Sequence, residues 1–395
     1  MVFIARMFYH ATLERRMTNW RFSKLINRVS KISSAAFILT MIVFMVSRAQ
    51  VHDSVRWWNS LSQKEQWYGT QEAIRIADNL LLYQYPSGGW PKNIDMARVL
   101  NDAEKAELAA TNHLDSSTID NDATYTQLRF LARVVTGTGL DRFKVPFLRG
   151  IDYLLRAQYE NGGWPQFYPL REGYYSHITF NDNAMIGTMS LLNDISLRKP
   201  GFDFVDNGRR QRAATAVAKG IDCILKCQIR VDGTLTAWCA QHDEHDFSPA
   251  KARTYELPSL SGEECVGIIR FLMSIDHPSE EIKKSIQASV SWFNVVRIFG
   301  IRAEVVDDSL GPEGRNRIVV NDSSAPPIWA RFYEIRTNRP FFCSRDGVKR
   351  FNLSEISYER RNHYSWLGYW PQQLLEKEYP AWAKAHSLTN VLDAR

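Results

Sequence analysis

The densest collection of reactive side chains in this sequence lies between residues 238 and 256. The run Trp-Cys-Ala-Gln-His-Asp occupies 238–243, and Ala-Arg-Thr-Tyr-Glu occupies 252–256. Carboxylates, imidazoles and guanidinium groups are poor core material, because each must be buried together with a partner. They are common in catalytic and binding sites, so this segment is a candidate active-site segment.

Two further polar clusters precede stretches with helical periodicity. Ser-Thr-Ile-Asp-Asn-Asp-Ala-Thr occupies 117–124, and Asn-Asp-Asn occupies 181–183. Asp and Asn are preferred N-cap residues, so helix capping explains each acid taken alone equally well. Two such clusters in neighbouring hairpins favour a site for a hard cation, most simply Ca²⁺, which binds carboxylate and amide oxygens. No EF-hand loop is present, so spacing alone does not decide between the two.

Three arginines, Arg253, Arg331 and Arg345, lie in polar and aromatic surroundings. A guanidinium group can hold a carboxylate through two parallel hydrogen bonds, so these residues could bind an anionic substrate. Ordinary ion pairing is the alternative, for example between Arg331 and Glu334. The sequence Ala-Arg-Phe-Tyr-Glu around Arg331 echoes Ala-Arg-Thr-Tyr-Glu around Arg253, which could be coincidence.

A run of five potential transition-metal ligands, His-Asp-Glu-His-Asp, occupies 242–246. A zinc site needs three or four side chains that converge on one point. Adjacent residues rarely point the same way, so the run by itself does not predict a zinc site. The five cysteines contain no CxxC spacing, and we expect them to be buried free thiols.

An internal repeat predicts the elements that position these clusters. An amphipathic helix that ends in Gln and is followed by a Gly turn recurs at Gln84, Gln158 and Gln228, at separations of 74 and 70 residues. Gly-Gly-Trp-Pro follows the first two glutamines, whereas Val-Asp-Gly-Thr follows the third. Further helices are expected between these units, over 119–136, 184–197 and 263–275, the last opened by a capping box at 261–264.

These elements predict an all-α-dominated fold, an incomplete α/α toroid of three helical hairpins whose polar loops gather at one end. After about residue 300, short Val-rich runs alternate with turn residues. We expect short strands and long loops there, forming a cap rather than a second domain.

Residues 1–49 have the composition of a leader. Basic residues between Arg21 and Lys31 precede an apolar stretch over 35–46, and Ser-Arg-Ala follows at 47–49. We expect an N-terminal extension and signal peptide over 1–49 and one catalytic domain over 50–395, without a membrane span in the mature form. An uncleaved N-terminal anchor is the alternative, and Met17 is a second candidate start.

The charge balance argues against a nucleic-acid-binding protein. The whole chain carries a net charge of +6, but eight of its 49 Lys and Arg residues and one of its 43 acids fall within 1–49. The remainder therefore has a net charge of −1 and no basic field.

The 12 Trp residues exceed what a core needs. Flat rings often stack on sugars, so some of these Trp residues are candidates for sugar binding, and packing in a helical core explains the others.

Six ordered motifs resemble the pectate lyases of polysaccharide lyase family 10, over the range from about Trp67 to Tyr369. The motifs are Gly-Gly-Trp-Pro-Lys-Asn at 88–93, 117–124, Gly-Gly-Trp-Pro-Gln at 162–166, Asn-Asp-Asn-Ala-Met at 181–185, 238–243 and 252–256. The resemblance implies an α/α toroid, dependence on Ca²⁺ and β-elimination on polygalacturonate. It also implies a secreted or periplasmic enzyme, which we expect to be a monomer.

The resemblance also implies roles for individual residues. Arg253 corresponds to the catalytic base. Metal-associated acids would be Asp182 with either Asp120 or Asp122. Substrate contacts would come from Arg331, Arg345, Lys92, Asn181 and Trp238. A guanidinium group normally stays charged, so a base role requires Ca²⁺ and neighbouring cations to lower the Arg253 pKa, and it predicts an alkaline optimum.

Three other functions stay open at this stage. A glycoside hydrolase could use a carboxylate pair on an α/α barrel. A non-catalytic protein could bind pectate without turnover. The two Gln-x-x-x-Gly-Gly-Trp segments also resemble the repeats of triterpene cyclases, although the acids at 120–122 fit a cyclase acid motif poorly.

Overall fold

Helices dominate the regular structure of this protein. The computed structural model describes residues 55–111 and 113–393, so the predicted leader and its cleavage site lie outside the described residues. The described residues from 56 onward form one compact unit. The α-helices among the described residues are α1 Gln71–Tyr83, α2 Asp102–Thr111, α3 Tyr125–Thr138, α4 Lys144–Ala157, α5 Ala184–Ser196, α6 Asn207–Cys227, α7 Glu264–Met273, α8 Glu280–Val295, α9 Tyr358–Asn362 and α10 Tyr379–Ala385.

Short strands make up the rest, and most of them follow residue 300 as predicted. They are β1 Ile178–Thr179, β2 Arg230–Val231, β3 Thr234–Leu235, β4 Gln241–His242, β5 Leu260–Ser261, β6 Ile301–Asp307, β7 Arg315–Asn321, β8 Trp329–Ala330, β9 Phe332–Tyr333, β10 Phe342–Cys343, β11 Lys349–Arg350 and β12 Leu367–Gly368. All pair as two-stranded antiparallel ladders: β1–β4, β2–β3, β5–β9, β6–β7, β8–β12 and β10–β11. None of the described helices has the length and apolar character needed to cross a membrane.

The longer helices pack in two rows. In the first row α3 packs against α5 and α5 against α7, and in the second row α4 packs against α6 and α6 against α8. Each first-row helix also packs against the following second-row helix, which confirms the predicted hairpins. The predicted start of α3 at residue 119 is wrong. Asn121, Asp122 and Thr124 have φ values of 48°, 62° and 67°, so the chain turns there and the helix begins at Tyr125.

The repeated Gln residues tie α1 to α4, α4 to α6 and α6 to α8. Each ends a helix, and its side-chain amide donates both to the turn that follows and to the next second-row helix. The acceptor carbonyls are Gly88 and Pro146 for Gln84, Gly162 and Ala216 for Gln158, and Thr236 and Ser285 for Gln228. Each repeat unit therefore has one hydrogen-bonded link to the next. Because the Gln amide donates to backbone carbonyls, the link does not depend on which side chains the acceptor residues carry.

Buried Trp residues fix the same units from inside. The indole N–H groups of Trp90, Trp164, Trp238 and Trp329 each donate to a helix carbonyl, at 2.7–2.9 Å. Trp238 thus supplies the ring that the third repeat lacks in its Gly turn. Its side chain is 0% exposed, which leaves no face for a sugar. The predicted substrate role of Trp238 is accordingly corrected to a role in the core.

Replacing Gly162 by Ala should destabilise the fold more than the same change at Gly233. Both residues occupy the repeat's turn with positive φ, 94° and 84°, so the conformational penalty is similar. A Cβ on Gly162 would lie 2.1 Å from the Lys219 carbonyl oxygen, whereas a Cβ on Gly233 would meet nothing within 4 Å. We expect Gly162→Ala to lower the unfolding free energy by about 1–3 kcal/mol more than Gly233→Ala, measured by urea denaturation. Equal losses would contradict this packing.

His242 is a fully buried, neutral imidazole. Its Nδ1 lies 2.7 Å from the Phe247 carbonyl oxygen and its Nε2 accepts from the Cys239 N–H at 3.0 Å. Because a carbonyl only accepts, the proton is on Nδ1. Burial is the main cause that lowers the His242 pKa from 6.5 to about 4. The residue belongs to the scaffold and not to a metal site.

This neutral imidazole should make the fold acid-sensitive. The unfolded chain binds a proton at His242 below pH 6.5 and the folded chain only near pH 4, so stability is lost as the pH falls through that window. Thermal denaturation of the chelator-treated proteins should show that the wild type is more stable than His242→Gln. The difference in stability should be constant above that pH window and should shrink as the pH falls through it. The exposed His113→Gln variant serves as the control and should track the wild type. A pH-independent difference between wild type and His242→Gln would contradict the prediction.

Candidate active site

Acidic residues gather where the three first-row helices begin. Asp120 and Asp122 precede α3, Asp182 precedes α5, and Glu264 opens α7 behind Glu263. The helices lie side by side, so these ends are neighbours. The charges of Glu264 and Asp120 both act on Asp182. The two clusters singled out in the sequence therefore meet, as predicted, and a third from α7 joins them.

The turns that carry the first two clusters hold strained backbone. Asn121, Asp122, Thr124, Asp182 and Asn183 all have φ between 48° and 67°. Asn and Asp tolerate this conformation, but a β-branched residue seldom does. The hydroxyl of Thr124 donates to the Thr118 carbonyl at 2.7 Å and accepts from the Trp90 N–H at 3.1 Å, which holds it in place. Strain of this kind concentrates at functional sites.

Arg331 is buried among these acids. Its Nη1 lies 2.5 Å from Glu263, and its Nη2 lies 2.5 Å from Glu264 and 3.6 Å from Asp182. The Arg331–Glu334 pair suggested from the sequence is wrong, because Glu334 pairs with Lys349 at 3.1 Å. Only 6% of Arg331 is exposed, so its contact with substrate stays a prediction, while its role in holding the acids together is evident.

Negative charge exceeds positive charge in this acid cluster, which consists of Asp120, Asp182, Glu263 and Glu264. Its cationic partners are Arg331 and Lys92, the latter bound to Asp120. Burial, followed by the charge of Glu264, raises the pKa of Glu263 to about 8. Burial also raises the pKa of Asp182, against the opposing charge of Arg331. Raised carboxyl pKa values mark a place where another cation would be stabilised.

The acid cluster fits a hard cation on chemical grounds. Its donors are all oxygens, and the buried Oδ1 atom of Asp120 has no hydrogen-bond partner. Asp122 is exposed and accepts a hydrogen bond from the Tyr125 hydroxyl. Of the two alternatives left open by the sequence, Asp120 is therefore the better partner for Asp182.

Lys92 and Asn181 hold the acids rather than project freely. The Lys92 ammonium pairs with Asp120, and the Asn181 amide donates to Asp182 at 2.7 Å. Asn181 is also only 8% exposed. Their predicted contacts with substrate stay predictions, and the structure gives both residues a positioning role.

Arg253 stands at the exposed edge of the site, clamped by Glu256. Its Nε and Nη2 atoms lie 2.8 and 2.5 Å from the two carboxylate oxygens of Glu256, which is buried. The Tyr364 hydroxyl donates to the same carboxylate at 2.7 Å. The Arg253 side chain is 43% exposed, and within the described chain its Nη1 has no hydrogen-bond partner. One nitrogen of the guanidinium group is thus free to meet a ligand.

The protein alone raises the pKa of Arg253, which is the opposite of the expected direction. Burial lowers it, but the hydrogen bond and charge of Glu256 outweigh burial. Glu256 in turn has a lowered pKa, because the hydrogen bond and charge of Arg253 overcome the cost of its burial. The dominant neighbour is an acid and not, as the sequence suggested, a cation.

Two tyrosines bring the arginines together. The guanidinium carbons of Arg253, Arg345 and Arg360 lie 5.2, 5.6 and 4.5 Å from the Tyr255 ring centre. Those of Arg253 and Arg331 lie 5.8 and 4.8 Å from the Tyr364 ring centre, and the two rings meet edge to face. The three arginines predicted from the sequence are therefore neighbours. Arg345 is 64% exposed and pairs with Glu359, so it is accessible to a solute.

Sequence reasoning missed the residues that hold the arginines. Glu256 lay inside the quoted segment, and its i,i+3 spacing from Arg253 was the available signal. Glu263 and Glu264 were interpreted only as a helix start. Nothing near Tyr364 indicated a role, because it is 111 residues from Arg253 in the chain.

Comparison with known proteins identifies the class of this protein as the polysaccharide lyases. The chain belongs to the pectic acid lyase family, whose model matches residues 84–375. The family 10 polysaccharide lyase from Cellvibrio cellulosa is 38% identical, with a TM-score of 0.68, over 79% of this chain and 91% of that chain. A mutant of that enzyme in complex with trigalacturonic acid has the same identity and TM-score and is covered over 92%. A search of curated proteins gave no match. The resemblance inferred from the motifs is confirmed.

Replacing Arg331 by Met should be far more damaging than replacing Arg345 by Met. Loss of a buried cation leaves three carboxylates without it and should cost about 3–5 kcal/mol in unfolding free energy. The exposed Arg345 pair contributes little, so Arg345→Met should unfold almost as the wild type does. Calcium should restore part of the loss in Arg331→Met, measured by thermal denaturation with Ca²⁺ and with chelator. Equal stability of the two variants would contradict the role of Arg331.

Proposed function

We propose that the protein is a secreted, calcium-dependent pectate lyase that cleaves polygalacturonate by β-elimination and leaves 4,5-unsaturated oligogalacturonides. The observation that carries the proposal is Arg253, held by Glu256 with one free nitrogen, beside the acid cluster. The complex of a 38% identical lyase with trigalacturonic acid supports the substrate class. The exposed Arg345 beside Arg253 suits a polymer with a carboxylate on every sugar.

The reaction requires removal of a weakly acidic proton. The proton at C5 of galacturonate lies α to a carboxylate, and its loss is followed by departure of the C4 oxygen. Calcium bound by Asp182 and Asp120 would neutralise the substrate carboxylate and so make that proton more acidic. In our proposal Arg253 accepts the proton at Nη1, while Glu256 fixes the other side of the guanidinium plane. Arg345 holds the carboxylate of a neighbouring sugar.

The clamp on Arg253 determines the expected pH dependence. A base with a raised pKa is deprotonated in only a small fraction of molecules, and that fraction grows about tenfold per pH unit. Activity should therefore rise steadily into the alkaline range. Because Glu256 and the anionic substrate both favour the charged form, Ca²⁺ would have to offset them before proton transfer.

Three further parts of the proposal concern the whole chain. We infer that the two helix rows curve into an incomplete α/α toroid, consistent with the family resemblance. The leader over 1–49 would direct secretion or periplasmic retention. The enzyme would act as a monomer, as a carbon–oxygen lyase on polysaccharides of the pectate lyase class.

Arg253→Lys should abolish most of the activity on polygalacturonate. General-base catalysis contributes about 10²–10⁴-fold, and lysine cannot reproduce the clamped geometry. The measurement is the ultraviolet absorbance of the unsaturated product, with Ca²⁺ and with chelator. Arg142→Lys is the matched control, because Arg142 forms a similar two-point pair with Asp78, at 3.1 and 3.2 Å, on an exposed surface. It should retain full activity.

Other outcomes would redirect the assignment. Saturated products would indicate a glycoside hydrolase. Binding of pectate without turnover, unchanged in Arg253→Ala, would indicate a non-catalytic binding protein. Full activity of Arg253→Lys in chelator would refute both the base and the metal, and an acidic optimum would count against Arg253 as the base.

A further inference from the structure

A second group of potential metal ligands lies at one end of the β1–β4 ladder. His177 immediately precedes β1, and Asp243 and Glu244 immediately follow β4. One ligand atom from each of the three side chains lies within 4.8 Å of the other two. The group is separate from the acid cluster that begins α3, α5 and α7. None of the three residues has a part in the proposed reaction.

The register of the ladder brings these residues together from distant parts of the chain. Ile178 pairs with His242 in antiparallel register, so His177 and Asp243 are the next pair beyond the last bridge. Sequence alone argued against a metal at 242–246, because adjacent side chains diverge. The ligand that converges with them is His177, which lies 65 residues before His242 in the chain. Each of the three residues lies within two positions of the paired strands, so the ladder sets where they meet.

Neighbouring groups orient the ligands and leave oxygens available. The Ser176 hydroxyl donates to Oε1 of Glu244 at 2.7 Å. Backbone N–H groups of His245 and Asp246 donate to Oδ1 of Asp243, at 2.8 and 3.2 Å. Supporting hydrogen bonds of this kind surround metal ligands in proteins. They leave Oδ2 of Asp243 and Oε2 of Glu244, the latter 2.9 Å from Nδ1 of His177.

The acidic side chains of this group lack strongly basic partners, so a bound cation would neutralise negative charge there. In the described part of the chain, neither Asp243 nor Glu244 has an ion pair with Lys or Arg, and the basic groups that pair with Glu244 are His177 and His245. His245 is exposed, and its Nε2 lies 3.9 Å from Oε1 of Glu244, which makes it a candidate fourth ligand. Two imidazoles and two carboxylates form a nitrogen–oxygen set that suits a transition-metal dication better than Ca²⁺.

We propose that His177, Asp243 and Glu244, with His245 as the fourth ligand, form a zinc-type site that fastens β1 to β4. Tetrahedral zinc with bonds of about 2.0–2.2 Å sets neighbouring ligand atoms roughly 3.3–3.6 Å apart, so the observed spacing needs only small side-chain rotations. β1 leads directly into Asp182, and β4 leads into the segment that carries Arg253. The metal would therefore join the strand that leads into Asp182 to the strand that leads toward Arg253.

The test is zinc binding by isothermal titration calorimetry on the untagged, chelator-treated chain. The wild type should bind one Zn²⁺. His177→Gln removes the imidazole, and Asp243→Asn removes an anionic oxygen but keeps the turn that accepts two backbone N–H groups. Each should weaken zinc binding by more than the ~10–100-fold typical of losing a supporting residue. Asp246→Asn, a carboxylate three residues from Asp243 and outside the group, should bind as the wild type does.

Two further measurements keep this result distinct from the proposed lyase activity. Cobalt(II) in place of zinc should give a visible absorption band that His177→Gln loses. Asp182→Asn, which alters the acid cluster, should retain zinc binding. The proposal is overturned if the wild type binds Zn²⁺ no more tightly than His177→Gln does, or if Asp182→Asn removes the binding and His177→Gln does not. Neither outcome depends on whether the protein cleaves polygalacturonate.

Discussion

The buried Arg331 is the interaction on which the rest of the site depends. Its guanidinium group joins the start of α7, through Glu263 and Glu264, to the turn before α5 that carries Asp182. It comes from the strand-rich part of the chain, where the Arg331 carbonyl also accepts from the Gly262 N–H at 2.8 Å. One residue thus docks the C-terminal segments onto the helix ends and brings like charges together. Positive helix N-termini help to make such a concentration of acids tolerable, and the remaining negative charge prepares the cluster for a cation.

The second constraint is a conflict between holding Arg253 and using it. Glu256 and Tyr364 fix the guanidinium group in a position that a free side chain would reach only with a loss of rotamer entropy. The same carboxylate keeps the group charged, which opposes a role as base. A base that is correctly placed but rarely deprotonated makes sense if the cation that accompanies the anionic substrate supplies the missing positive field. Precise placement can then compensate for a small active fraction.

The sequence contained much of the fold but only half of the site. Helices of the repeat could be predicted because apolar periodicity and Gly turns are local signals, and the Gln residues that mark the repeat prove to be its links. The start of α3 was misplaced, because Asn121 to Thr124 adopt positive φ and no helical pattern reports that. Arg253, Asp120 and Asp182 were found by residue type. Tyr364 and Glu263, which hold Arg253 and Arg331 in place, were missed because long-range packing leaves no trace in spacing.

Trp238 shows why a polar composition was an incomplete guide. The candidate active-site segment begins in the core, where Trp238 is enclosed and its indole N–H is bonded to a helix carbonyl. His242 is equally buried, with both ring nitrogens satisfied by backbone groups. Only after β4 does the chain reach the surface and present Arg253. Polar residues in the first half therefore stabilise a fixed path, and that path is what allows the second half to carry reactive groups. A buried polar side chain with every hydrogen bond satisfied favours a single backbone conformation. A catalytic side chain depends on such a single conformation, because its position relative to the substrate must be fixed.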